Sequence, residues 1–225
     1  MTLPDGIVVD RIGAEAEPVV LIDDFATDPQ ALVDRAAADS FSPRGIHYPG
    51  IRAPLQPSYL AERLDVLEPV LRDVFGLGRG AALAEAAFSL VTTPPGDLTP
   101  IQRLPHFDTT DGKRLALLHY LCGPEQGGTA FYRHRSTGFE TISAERRVAY
   151  QYALEDAVEK HGLPEGYVGA SGPIFEQTAM VEARFNRMVI YRSRTLHSGQ
   201  VPEDFSFSAD PRQGRLTVNI FLQGR

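Results

Sequence analysis

At 225 residues and 24.7 kDa, with 43% hydrophobic and 23% charged residues, the chain has ordinary globular composition and the length for one well-cored domain, which excludes disordered and fibrous classes. A formal charge of −7, from 29 acidic against 22 basic residues, without a long basic run, argues against a nucleic-acid partner. No stretch approaches the roughly 18 apolar residues that span a bilayer, and the opening MTLPDGIVVDRIG lacks a basic segment followed by an apolar one, so a soluble, unexported protein without membrane contact is expected.

Residues 18–25, PVVLIDDF, form a short apolar run that predicts a buried strand. Asp28 and Pro29 then give an N-cap and first-turn signal for a helix to about Asp39. Residues 40–58 hold Pro43, Pro49, Pro54 and Pro57, a density that predicts a long loop. Ser58 is expected to cap a second helix, in which Leu60, Leu64, Leu67 and Leu71 recur at helical spacing before Gly76 and Gly78 end it. That leucine row suits core packing, with a share in a possible homodimer contact.

From about Glu85 the pattern changes to short strands: AAFSLVTT, RLALLHYL, TAFYRHR, QTAMVEA, RMVIYRS and RLTVNIFL. Turn residues bound each of them, and Asn186 in ARFNR suits a tight hairpin turn between two. Residues 143–162 interrupt the series as a helix, with Ser143 as N-cap, Ala144, Val148 and Ala149 on one side and Gly162 at the end. The simplest architecture is a single domain over 1–225, mainly β with N-terminal helices (α+β). Its helical and loop part covers 1–84, and a double-stranded β-helix or jelly-roll, cupin-like core covers 85–225.

A single cysteine, Cys122, excludes an internal disulfide and a thiolate metal cluster, so a metal here must be held by nitrogen and oxygen. That usage also suits a reducing cytoplasm. In RLPHFD, His106 and Asp108 stand two residues apart, and extended backbone projects i and i+2 to the same face. His197, in YRSRTLHSG just after an apolar strand, can supply a third ligand. Two imidazoles and one carboxylate leave coordination positions open, which suits non-haem iron(II), although zinc would accept the same ligands. Arg215, opening RLTVNIFL, tilts the choice to iron because its planar fork can hold the distal carboxylate of a dicarboxylic cosubstrate.

Together HFDTTDGKRLALLHYL, the Gly127–Gly128 pair in GGTAFY, LHSG and RLTVNIFL resemble the 2-oxoglutarate and iron(II)-dependent oxygenases, the prolyl-hydroxylase-like branch most. The resemblance runs in order from about Glu85 to Leu222, with a weaker echo at VVLIDDF. It implies His106, Asp108 and His197 as iron ligands at the catalytic centre and Arg215 as the anchor of the cosubstrate 2-oxoglutarate. Tyr120 is implied as a second partner of that carboxylate, and Thr217, two residues past Arg215, is a weaker candidate. The implied reaction couples oxidative decarboxylation of 2-oxoglutarate by dioxygen to hydroxylation of an amino acid, peptidyl residue or small metabolite. A carboxylate at Asp108 favours hydroxylation over halogenation.

Arg215 lies 18 positions after His197, a longer gap than this family usually has. The polar, turn-rich PEDFSFSADPRQG between them reads as an inserted loop at the mouth of the site and a candidate lid. Were it a shifted strand instead, Arg212 would take the place of Arg215. Asp111 suits a turn, His119 should face away from Tyr120, and His134 suits a solvated strand end or a substrate contact. Arg192 and Arg194 suit a solvated edge or a basic rim, and His47 and His161 receive no role. Two rival functions use the same residues: a non-catalytic jelly-roll module binding a small acid or a protein, and a cupin-like metal enzyme, dioxygenase or zinc hydrolase, that does not use 2-oxoglutarate.

Overall fold

In the computed structural model, which describes residues 3–4 and 6–225, a hairpin of β1 (Ile7–Ile12) and β2 (Glu17–Ile22) opens the chain. The sequence reading found β2 and missed β1, an outermost strand with one neighbour and alternating half-exposed residues. Helix α1 (Pro29–Ala38) starts as expected, with the Asp28 carboxylate accepting the Ala31 N–H at 3.0 Å and Pro29 in the first turn. The stretch 40–58 is not wholly loop: β3 (Ser42–Pro43) and β4 (Gly50–Pro54) extend the sheet. Its prolines are tolerated because Pro49 precedes β4, Pro54 ends it, and β3 is an edge.

The second helical segment changes period along its length. A 3-10 stretch (Pro57–Arg63) leads into α2 (Leu64–Pro69) and a π turn (Val70–Val74), with no side-chain cap at the start. Drift in the number of residues per turn explains why Leu60, Leu67 and Leu71 are buried while Leu64 is 46% exposed. Gly76, at φ +73°, ends the segment as expected.

The remaining strands are β5 (Ala81–Val91), β6 (Arg114–Tyr120), β7 (Gly128–His134), β8 (Phe175–Glu182), β9 (Arg187–Arg192), β10 (His197–Gln200) and β11 (Leu216–Gly224). Helix α3 (Arg147–His161) lies between β7 and β8. It begins four residues after Ser143, whose carbonyl accepts the Arg146 and Arg147 N–H groups. The side bearing Val148 faces out, and Tyr150 and Ala157 are buried instead. Gly162 terminates α3 at φ +77°.

All pairings are antiparallel, in a large sheet ordered β1-β2-β9-β6-β11-β5-β4-β3 and a small one ordered β10-β7-β8. Asn186 does adopt positive φ, +65°, but β8 and β9 belong to different sheets. The turn therefore crosses the sandwich rather than closing a hairpin. Alternation along the central strands divides the core. Leu115, Leu117, Met188, Ile190, Val218 and Ile220 pack with α1 and the 57–74 helices on one face of the large sheet. Ala116, Tyr120, Val189 and Tyr191 meet Phe131 and Val181 of the small sheet on the other. Outside the small sheet, Tyr150 and Ala157 of α3 cover Ala130, Tyr132 and Phe175. This is the jelly-roll arrangement, and its interior, between the sheets, holds the site. No helix of the described residues is long and apolar enough to cross a membrane.

His119 points away from Tyr120, as expected, into the helical layer, where it is fully buried. Its Nδ1 lies 2.6 Å from the Tyr59 hydroxyl and its Nε2 3.0 Å from Asn186 Oδ1. That pattern suits a neutral ring protonated on Nε2, and burial pulls its pKa down to about 4. The unfolded chain takes up this proton below about pH 6.5 and the folded chain resists until about pH 4, so stability falls on acidification through that window. A loss of about 3 kcal/mol from this residue is expected. Denaturant titrations at pH 7 and 4.5 should show a shallower acid loss in His119→Asn than in the unsubstituted chain. Equal slopes would remove His119 as the cause.

Candidate metal centre

His106, Asp108 and His197 come together by backbone pairing. His106 precedes β6 in a loop and His197 is the first residue of β10; the two bridge reciprocally, His106 N–H to His197 carbonyl at 2.9 Å and the reverse at 2.8 Å. The Asp108 N–H donates to the Ser193 carbonyl at 2.7 Å, which ties the loop to the end of β9. One ligand atom from each of the three lies within 4.8 Å of the others, and the two imidazole centroids are 4.4 Å apart. The His197 Nδ1 lies 2.9 Å from the Thr195 carbonyl, so this nitrogen carries the proton and Nε2 keeps its lone pair free. Tyr191 packs edge-on against the same ring at 4.8 Å.

Arg215 is 4% exposed, immediately before β11. Its Nε donates to the Gln126 carbonyl at 3.1 Å and one terminal nitrogen to the Gly128 carbonyl at 2.7 Å, with the guanidinium 5.6 Å from the Tyr120 ring centroid. The double glycine explains this contact. At Gly127, φ is +88° and a Cβ would fall 2.0 Å from the Gln200 carbonyl; at Gly128 it would fall 2.3 Å from that of Val181. Only glycine lets the chain pass this close to both neighbours while turning its carbonyls to the arginine.

A cavity of about 720 Å³ is lined by His106, Asp108, His197 and Arg215. The Tyr120 hydroxyl is 2.6 Å from that of Thr129, which lines the cavity, so Tyr120 reaches it through Thr129. Thr217 is fully buried and its hydroxyl donates to Asn219 Oδ1 at 2.8 Å. Two groups that sequence reasoning missed are Tyr48, which lines the cavity, and Ser89, buried beside it. Burial raises the Tyr48 phenol pKa against the opposing charges of Arg215 and Arg52.

Residues 6–222 match a family described as of unknown function, DUF6445. The chain belongs to DUF6445. A comparison with curated proteins finds no match. Among solved structures, the DUF6445 chain is similar to HygX from Streptomyces hygroscopicus with nickel, 2-oxoglutarate and hygromycin B bound (TM-score 0.52, 14% identity, 93% of this chain and 84% of that one). It is also similar to SnoK, a non-heme alpha ketoglutarate dependent carbocyclase from nogalamycin biosynthesis (0.50, 13%, 92% and 79%). A Pseudomonas putida prolyl-4-hydroxylase follows (0.47, 16%, 94% and 95%). The first two likenesses give this DUF6445 protein the fold of the 2-oxoglutarate and iron(II)-dependent oxygenases, which bears out the resemblance at the level of fold.

Electrostatics favour a cation at the three ligands. Burial, then the neighbouring charges of His197, His47 and Arg52, holds the His106 pKa well below its usual value, leaving a neutral donor. Its ring is 47% exposed, but to the cavity it lines. Burial raises the Asp108 carboxyl pKa despite the positive charges near it, a cost that a bound metal ion would offset.

Other expected candidates lie elsewhere in the DUF6445 chain. Arg212 is on the surface, 3.2 Å from Asp34, so Arg215 and not Arg212 enters the cavity. Arg192 and Arg194 form no basic rim, because both pair with Glu17, at 3.2 and 2.6 Å. His134 is neither solvated nor at the cavity; it is buried against Tyr150 and Phe175. Asp111 is a turn residue as expected, accepting the Lys113 N–H at 2.8 Å. His47, given no role, lines the cavity. Burial pushes the Cys122 thiol up to about 12, so it is inert.

Proposed function

We propose that this protein is a non-haem iron(II), 2-oxoglutarate-dependent oxygenase of the hydroxylating type. The observation that carries this reading is that a two-histidine, one-carboxylate cluster and a buried arginine with unused donors line one cavity. The donor set fits iron(II): two imidazoles and a carboxylate, with no thiolate, lie within 4.8 Å of one another at the cavity and would leave coordination positions for further ligands. His106, Asp108 and His197 would hold the ion, and together with 2-oxoglutarate and dioxygen it would supply oxidising chemistry, releasing succinate and carbon dioxide.

The chain's own residues bind and orient. The Thr195 carbonyl fixes the His197 ring and its tautomer, so Nε2 needs no reorganisation to serve as a ligand. A guanidinium has five N–H donors; Arg215 gives one to Gln126 and one to Gly128, and the other three are free for a distal carboxylate. Tyr48 and Ser89 offer further hydroxyls on that side. Phe131 and Val181 roof the sheet with apolar surface, which limits water and strengthens the charge contacts.

Anaerobic titration of the metal-free protein with iron(II) and 2-oxoglutarate is expected to produce a weak visible charge-transfer band. Admitting dioxygen should release succinate. A non-catalytic module would give no succinate, and a zinc hydrolase would need no 2-oxoglutarate. Absence of both band and succinate from folded protein would sink the proposal.

A further inference from the structure

Two further arginines, Arg52 and Arg114, line the cavity besides Arg215. Along the interior faces of β6 and β11 the register pairs Tyr120 with Thr217, Leu118 with Asn219, Ala116 with Phe221 and Arg114 with Gln223. Arg215 lies beyond the Thr217 end and Arg114 at the opposite end. Tyr120 and Arg114 are six positions apart along the strand, roughly 20 Å of backbone, so a five-carbon diacid held by Arg215 does not span to Arg114. The backbone instead ties Arg114 to the metal side: its carbonyl accepts the Ser193 N–H at 3.0 Å, and the Ser193 carbonyl accepts the Asp108 N–H at 2.7 Å.

Arg114 lines the cavity with its guanidinium 5.2 Å from the Phe221 ring centroid. Its Nε is buried without a hydrogen-bond partner, and among the described residues no carboxylate comes within 4 Å of it. Arg52, on β4, starts level with Ser89 and Thr217 but reaches along β5 toward Glu85. Among the described residues it pairs with Glu85 at 3.3 Å, and Glu85 is in register with Phe221. The Arg52 Nε is likewise buried and unpartnered, with the guanidinium 4.4 Å from the Tyr48 ring centroid. A buried guanidinium nitrogen left without a hydrogen-bond partner is costly. Arg114 against Phe221 and Arg52 against Tyr48, both lining the cavity, form a recognition site for an oxyanion group backed by apolar surface.

We infer that the substrate oxidised at this centre is a small organic molecule bearing an oxyanion group, carboxylate or phosphate, which Arg114 and Arg52 hold while its carbon skeleton lies along Phe221 toward the metal. Arg215 and this pair then divide the cavity into a cosubstrate end and a substrate end. The inference rests on the oxygenase reading for the metal's role, but the oxyanion site itself can be tested without it.

The experiment is calorimetric titration of the full chain, both metal-free and loaded with manganese(II) and 2-oxoglutarate, against three probes: inorganic phosphate, N-acetylglycine and its neutral amide. Phosphate or N-acetylglycine is expected to bind, and which one binds tells phosphate from carboxylate recognition. The amide should not bind. Arg114→Met should weaken the bound anion about tenfold or more, as loss of charge-assisted hydrogen bonds requires, while its 2-oxoglutarate affinity stays that of the unsubstituted chain. Should Arg114→Met not fold, Arg114→Lys, which keeps stem and charge but loses the planar fork, should weaken binding in the same direction. Arg52→Gln gives an independent arm with the same expectation. The inference is overturned if neither anion binds, if the amide binds as well as the acid, if the substitutions leave anion affinity unchanged, or if Arg114→Met loses 2-oxoglutarate binding. Failure of the unsubstituted chain to bind manganese and 2-oxoglutarate would overturn the oxygenase reading, and the metal-free phosphate titration would still decide the role of Arg114.

Discussion

His106→Ala is expected to abolish succinate release and to lower metal affinity by about 100-fold or more, since removing even the outer partners of a ligand costs 10 to 100-fold. His106 is the better ligand to remove because its ring is open to the cavity, whereas His197 is 6% exposed and packed on Tyr191. Stability separates loss of the metal from loss of the fold. Metal at about 100 times its dissociation constant adds about 2.7 kcal/mol, which in a chain of this length corresponds to a rise of roughly 5–10 °C in melting temperature. The unsubstituted protein should show that rise with manganese(II), and His106→Ala should not. Its metal-free melting temperature should stay near that of the unsubstituted protein. A variant that still gains the full rise would mean that the cluster is not the metal site.

The parts of this site that were legible in the sequence are those set by local geometry. His106 and Asp108 are two residues apart on extended backbone, so their shared direction needs no knowledge of the fold. His197 follows an apolar strand, and the Gly127–Gly128 pair announces close backbone approach. Long-range register is what the sequence does not display. Arg52, Ser89 and Thr217 stand side by side because β4, β5 and β11 pair in one register, and nothing local to any of them says so. The same limit hid the short outer strands: β10 has four residues, too few for alternation to show, and β4 is masked by the prolines at its ends. Tyr48 was missed for a related reason. It sits in a proline-rich stretch that offers no period, and only the pairing of β4 with β5 carries its hydroxyl to the arginine side of the cavity.

Arg215→Met tests the other half of the centre, with 2-oxoglutarate affinity expected to fall about 100-fold or more while manganese affinity changes little. The magnitude follows from the free donors: a carboxylate held bidentately gains two charge-assisted hydrogen bonds, each worth about 1.5–3 kcal/mol. Methionine keeps much of the volume, so little space opens beneath Tyr120, although the Gln126 and Gly128 carbonyls lose their partner and some stability is lost. Calorimetry with manganese(II) present measures both affinities in the same variant. Arg215→Lys sharpens the result, because an ammonium restores the charge without the planar fork and should recover only part of the affinity. If Arg215→Met binds 2-oxoglutarate as the unsubstituted chain does, the diacid is held elsewhere in the cavity, and the division into a cosubstrate end at Arg215 and a substrate end at Arg114 fails with it.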